Sequence, residues 1–193
     1  LHLLLQPRVP VSMTREVRGA SRRQFRWDRR PRILFAAAHE SDFPPNTIEA
    51  HLLALRRAFG MAYNCEEEIR VLWQSQGECA TQPVPPGVNG YDPDFKGHIK
   101  YDVAGAKALL DKFGFVDRDG DGYREMPDGS PLEIKSNSQP TARDQQQDEL
   151  WKRSMDDIGI RITFRKAKWP DLLKESDAGK LQFWQLGGTA AAP

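Results

Sequence analysis

Between Pro131 and Leu186 the sequence alternates in a way that leaves few folds open. Pro131-Leu132-Glu133-Ile134-Lys135 alternates apolar and polar residues like a strand. A polar segment over Ala142 to Ile158 then carries Leu150, Trp151 and Met155 at helical spacing and stops at Gly159. Ile160, Ile162 and Phe164 alternate with Arg161, Thr163 and Arg165, the pattern of a half-buried strand. Trp169-Pro170 opens another helix, since proline suits a first turn, and this helix ends near Gly179; Leu181 to Leu186 reads as a last strand. Strands separated by single helices cannot be joined by hairpins. The connections must cross over the sheet, which predicts an α/β body.

The region upstream is helical with one long interruption. Phe43-Pro44-Pro45 breaks the chain, and Asn46 or Thr47 is placed to cap a helix over about Ile48 to Tyr63, with Leu52, Leu55, Phe59 and Ala62 as its apolar stripe. Asn64 and Glu67 have capping-box spacing for a second helix, whose expected buried face is Ile69, Leu72 and Trp73. Gln76 to Lys100 is rich in Gly and Pro and reads as a loop of the long kind that usually serves a function. Asp102 caps a third helix with Ala106, Leu109, Leu110 and Phe113 facing inward, and Gly114 ends it.

Charge divides the chain. Residues 1–32 hold nine arginines, no lysine and two acids, a charge of +7, although the whole 193-residue chain carries only +1. Residues 1–45 therefore form a basic arm, expected to be extended or disordered because Pro7, Pro10 and Pro31 interrupt it and no period runs through it; residues 46–193 form the α/β lobe. The arm admits an alternative function, a nucleic-acid- or anion-binding module. The opening Leu-His-Leu-Leu-Leu-Gln lacks the basic region, apolar length and cleavage site of a signal peptide, which leaves the compartment open. No apolar stretch approaches the ~20 residues of a membrane helix. Two cysteines and four scattered histidines exclude a disulfide-dense mini-domain and offer no zinc motif. His39 with Glu40 and Asp42 has no second histidine at ligand spacing, and no G-x-S-x-G, P-loop or G-x-G-x-x-G occurs, so no enzyme is expected.

Five stretches together carry a family likeness: Arg56 to Asn64 (RRAFGMAYN), Pro83 to Tyr91 (PVPPGVNGY), Tyr101 to Leu110 (YDVAGAKALL), Asp117 to Gly122 (DRDGDG) and Asp156 to Ile160 (DDIGI). In order and spacing they resemble the family 5 extracellular solute-binding proteins, the oligopeptide- and dipeptide-binding components of ABC importers. The resemblance implies one lobe of a two-lobed, periplasmic-binding-protein-like (type II) fold, a mixed sheet with flanking helices, over about residues 56–193. It also implies a non-enzymatic, periplasmic or lipid-anchored protein that delivers a small or peptide-like solute to a membrane permease. Its partners would be that ligand, the permease and the second lobe, with nucleic acid not expected. The family's ligand-contacting Gly-Trp-x-Ala-Asp is matched here by Gly187-Gly188-Thr189-Ala190-Ala191, which lacks the Trp and the Asp. The expected ligand-binding residues are therefore Trp184, Gly187, Gly188, Thr189 and Ala190. The missing Asp, which pairs with a peptide's amino group in the family, argues against a free-amino peptide.

Two features stand apart from that likeness. Asp117, Asp119, Asp121, Glu125 and Asp128 fall at positions 1, 3, 5, 9 and 12 of a calcium-type loop, with Gly122 at position 6, the arrangement that converges carboxylates on a hard cation in a calcium-dependent interaction domain, and of these Asp117, Asp119, Asp121 and Asp128 are the candidate metal ligands. Arg124 at position 8 and Pro127 oppose it. The expected state is an Asp-Gly turn in which short acids bond their own backbone, with no cofactor required. Cys65 and Cys79 are expected to be unpaired thiols unless the compartment is oxidising.

Overall fold

The computed structural model describes residues 46–82, 84–95, 97 and 99–185; the basic arm and the segment Gly187 to Ala190 lie outside the described residues. Helix α1 (Ile48–Ala62) starts at Thr47, whose hydroxyl accepts from Ala50 N–H, and its buried face is Ala50, Leu53, Ala54, Leu55, Ala58, Phe59 and Ala62. Leu52 sits at the edge of that face and is only half-buried. Helix α3 (Val103–Lys112) is tied to the end of α1 by Asp102 N–H donating to Met61 C=O at 2.8 Å, while the Asp102 carboxylate caps Gly105 N–H at 2.8 Å. A Cβ at Gly105 would lie 2.4 Å from Asp102 Oδ2 and 2.7 Å from Met61 Cε, so any larger residue would have to displace these two side-chain ends.

Helix α2 (Cys65–Leu72) departs from the apolar pattern. Asn64 caps it through Glu67 N–H as the spacing predicts, but its buried residue is Glu68, whereas Trp73 is 44% exposed. The reason is its neighbour, helix α4 (Ala142–Asp157): Gln147 donates to Glu68 at 2.8 Å, Arg153 pairs with Glu67 at 2.8 Å, and the Arg143 guanidinium lies 3.7 Å above the Trp73 ring. A buried carboxylate is tolerable where a donor is supplied.

Gln74 and Ser75, both with positive φ, then turn the chain back along α2, and Cys79 meets Cys65 in a disulfide with a Cα–Cα distance of 5.9 Å. This corrects the expectation of unpaired thiols. Sequence separation did not reveal it because the reversal depends on two left-handed residues that carry no glycine signal.

The predicted crossovers are present. Strand β1 (Glu133–Ser138) lies at the centre of a three-stranded sheet, with β2 (Arg161–Lys166) on one side and β3 (Phe183–Trp184) on the other, both parallel to it. Antiparallel pairing is confined, among described residues, to the bridge between Glu125 and Pro131. Helix α4 connects β1 to β2, and helix α5 (Trp169–Asp177) connects β2 to β3. Register places Ile134 beside Ile162 and Ser136 beside Phe183 on one face, where Trp151 and Met155 of α4 complete the main core. Asn137 pairs with Trp184 on the opposite face, and Trp184 packs with Leu172 of α5 and Leu181. Full burial of side chains the size of Trp151, Phe59 and Phe115 contributes roughly 1.5–3 kcal/mol each.

Candidate functional site

The acidic loop is a folded turn that positions an arginine. Asp117 accepts from Gly120 N–H at 2.7 Å and Gly122 N–H at 2.9 Å, Asp119 from Asp121 N–H at 3.1 Å, and Asp121 from Tyr123 N–H at 2.8 Å. The carboxylates of Asp117, Asp119 and Asp121 gather with that of Glu125, all within 4.8 Å. Asp128 takes no part in this group. Its carboxylate turns to the Ser130 hydroxyl at 2.6 Å and amide at 2.9 Å, which hold it below the usual aspartate range. Asp121 is further engaged by Arg161 at 2.5 Å, and Glu125 by Arg118 N–H at 2.7 Å. Arg124 leaves the loop inward, where its guanidinium reaches Ile158 C=O at 2.8 Å, Phe115 C=O at 2.5 Å and Asp111 at 2.5 Å. It thus satisfies carbonyls past the ends of α3 and α4 where a cation is favourable. An arginine where a calcium loop has an apolar residue was the available signal.

A small, shallow cleft opens to solvent at the other end of the sheet, beyond the C-terminal ends of β1 and β3 and beside the N-terminus of α4. Crossover topology puts this opening there: strands run toward it, and the helix that follows β1 starts from it. Thr141 caps α4 by accepting from Asp144 N–H at 3.1 Å, and Asp144 in return accepts from Gln139 N–H at 3.3 Å. One turn on, Asp148 accepts from Ser138 hydroxyl at 2.8 Å and Lys166 at 2.6 Å; burial nevertheless raises its carboxyl above the ordinary aspartate range, with those two partners opposing the rise.

The floor of the cleft is aromatic. Trp151 is stacked on Tyr63 at 4.0 Å and meets Phe183 edge-on at 5.0 Å, while Trp184 lies 5.3 Å from Trp169, which is 37% exposed. Burial and Glu68 push the Tyr63 hydroxyl pKa strongly upward, so Tyr63 stays neutral behind Trp151. The indole N–H groups of Trp151 and Trp184 and the Gln185 amide N–H have no acceptor. An unpaired buried donor costs about 1–3 kcal/mol.

Of the expected ligand residues, Trp184 therefore lines the cleft, whereas Gly187, Gly188, Thr189 and Ala190 lie outside the described residues. Sequence reasoning did not single out Ser136 to Gln139, Asp144 or Asp148. Their signal was positional: they follow the first predicted strand and open the helix after it.

Comparison with known proteins places this geometry among binding proteins. The family described as bacterial extracellular solute-binding proteins, family 5 Middle, matches residues 37–193. The di/tripeptide-binding protein 2 of Pseudomonas aeruginosa (strain UCBPP-PA14) is 29% identical over 128 residues, which cover 65% of this chain and 22% of that protein. The mannohexaose-bound crystal structure of a periplasmic oligopeptide-binding protein from Thermotoga maritima superposes with a TM-score of 0.61 at 25% identity, covering 72% of this chain and 27% of that one. The oligopeptide-binding protein AppA of Bacillus subtilis, in complex with a nonapeptide, gives a TM-score of 0.55 at 23% identity, over 63% of this chain and 24% of that one. The chain thus spans about a quarter of the length of these relatives.

Proposed function

Because this chain belongs to the bacterial extracellular solute-binding proteins, family 5, we propose that it forms one wall of the binding cleft of an ABC importer's substrate-binding component. It captures a small polar solute for delivery to a membrane permease and carries out no chemistry on it. The observation that carries this reading is the cleft beyond the C-terminal ends of β1 and β3, the place where open parallel sheets bind ligands. The matched relatives supply the solute classes to consider, since one is called a di/tripeptide-binding protein and another holds mannohexaose. The Cys65–Cys79 disulfide supports an oxidising, periplasmic or extracellular setting. Trp184 belongs to the ligand wall in this proposal, and Gly187, Gly188, Thr189 and Ala190 are assigned to it by their family position. The remainder of the importer protein would supply the opposite wall, and the permease would read the closed form.

One wall buries one side of a ligand, so the isolated chain should bind in the millimolar range. Titration of the 15N-labelled chain with tripeptides and oligosaccharides, followed by amide shifts, tests the proposal. Saturable shifts confined to Ser136 to Gln139 and the strand end at Trp184 are expected. If no solute moves them, while a DNA oligomer binds through the arginines of residues 8–32 in a salt-dependent way, the arm carries the function and the importer reading fails.

A further inference from the structure

We propose that Asn89 is a site of spontaneous covalent modification, at which the backbone nitrogen of Gly90 closes on the Asn89 side chain and the residue is converted to aspartate and isoaspartate. Asn89-Gly90 lies in the Gly- and Pro-rich loop, outside the helices and strands, in a turn closed by Tyr91 N–H donating to Val88 C=O at 3.1 Å. Asn89 is exposed. Among the described residues neither its side-chain amide nor the Gly90 N–H has a hydrogen-bond partner. Gly90 has a φ of +93°, and a Cβ added to it would meet nothing within 4 Å, so a ring joining the two residues has room to form. The step balances with water alone. A base removes the Gly90 amide proton, the nitrogen attacks Asn89 Cγ, the Cγ–Nδ2 bond breaks, and ammonia leaves with a proton. Water then opens the cyclic imide at either carbonyl, which leaves a carboxylate on an ordinary side chain or on a chain that now runs through Cγ.

Selectivity for this asparagine follows from what holds the others. Asn137 is 7% exposed, and its side-chain amide donates to Phe183 C=O at 3.2 Å and accepts from Arg165 at 2.9 Å. Asn64 Oδ1 accepts from Glu67 N–H at 3.1 Å at the start of α2. Asn46 precedes Thr47, whose branched side chain crowds the attacking nitrogen. Aspartate can close the same ring onto a following glycine, and the chain has such pairs at Asp119-Gly120, Asp121-Gly122 and Asp128-Gly129. Their glycine amides are all occupied: Gly120 and Gly122 donate to Asp117 at 2.7 and 2.9 Å, and Gly129 donates to Met126 C=O at 2.8 Å. The Gly90 nitrogen is not restrained in this way. Because no hydrogen bond among the described residues depends on the Asn89 side chain, the product adds a negative charge to the loop and leaves the fold in place.

Incubation of the full chain in mildly alkaline buffer, with and without urea, followed by reduction, tryptic digestion and tandem mass spectrometry, tests the proposal. The tryptic peptide Val71–Lys96 should acquire the mass gain of an amide exchanged for an acid, fragment ions should place it at Asn89, and part of the product should give isoaspartate fragments. Opening the turn breaks one exposed hydrogen bond, so conversion in the native protein should lag that in urea by roughly two- to tenfold. Asn137 should convert in urea and stay intact in the native protein. The rate at Asn89 should rise with pH, since a base removes the amide proton. Asn89→Gln, whose ring closure needs one more atom, should keep this peptide unmodified, and Asn89→Asp should melt at the parent's temperature. Native conversion of Asn89 that lags urea by about a hundredfold or more, or that is no faster than that of Asn137, would overturn the proposal. A mass gain that persists in Asn89→Gln would assign the change to Gln74, Gln76 or Gln82 and overturn it equally.

Discussion

Replacing both Cys65 and Cys79 by serine removes a cross-link between residues 14 apart in sequence. Closing a loop of that size lowers the entropy of the unfolded chain by an amount equivalent to about 3 kcal/mol. The folded state loses little in exchange. Helix α2 stays attached through Glu68 to Gln147 at 2.8 Å, through Glu67 to Arg153 at 2.8 Å, and through the Arg143 guanidinium 3.7 Å from the Trp73 ring. The variant should therefore fold with an unchanged sheet and melt roughly 6–12 °C lower, the shift that 3 kcal/mol produces in a chain of this size. Calorimetry of the oxidised protein, the protein with excess phosphine reductant and the double serine variant gives the comparison, with the last two expected to coincide. Thiol titration of the native oxidised protein should find none. Two titratable thiols, or identical melting temperatures with and without reductant, would refute both the pairing and the entropic argument.

Two further outcomes follow from the side chains at the two ends of the sheet. Saturating calcium should leave the melting temperature unchanged, because the loop acids already accept backbone N–H groups, while Asp117→Ala, which removes the acceptor of the solvent-exposed Gly120 and Gly122 amides, should cost about 0.5–1.5 kcal/mol in urea unfolding. A calcium-dependent rise lost in Asp119→Ala would contradict this. Burial raises the Asp148 carboxyl in the folded state, so the native protein binds its proton more tightly than the unfolded chain, and stability falls as pH rises through the aspartate range. Asp148→Asn should consequently be at least as stable as the parent at pH 7, with any advantage vanishing below the pH at which an unfolded aspartate titrates. Greater loss at pH 7 than in acid would show that the Lys166 ion pair outweighs desolvation.

What the sequence determined by itself is whatever depends on a few neighbouring residues. The caps at Thr47, Asn64 and Asp102 were legible or nearly so because a cap links a side chain to an amide three residues away. The helix stop at Gly159 and the alternation through Ile162 and Phe164 were legible for the same reason, and from them the crossover order followed. Tertiary structure decided the rest. Glu68 is buried and Trp73 exposed because Gln147, 79 residues beyond Glu68, supplies the donor. Cys79 reaches Cys65 only through a reversal at Gln74 and Ser75 that their identities do not announce. Arg124 holds together two helix ends that are distant in sequence, at Phe115 and Ile158. The cleft likewise exists only once parallel pairing sets Asn137 beside Trp184, since no local pattern records that residues 47 apart will share one wall. Local spacing specifies which elements form, through energies exchanged within one turn or one pleat. Which polar group is buried, and against what, is set by the donors and acceptors that distant elements bring to it.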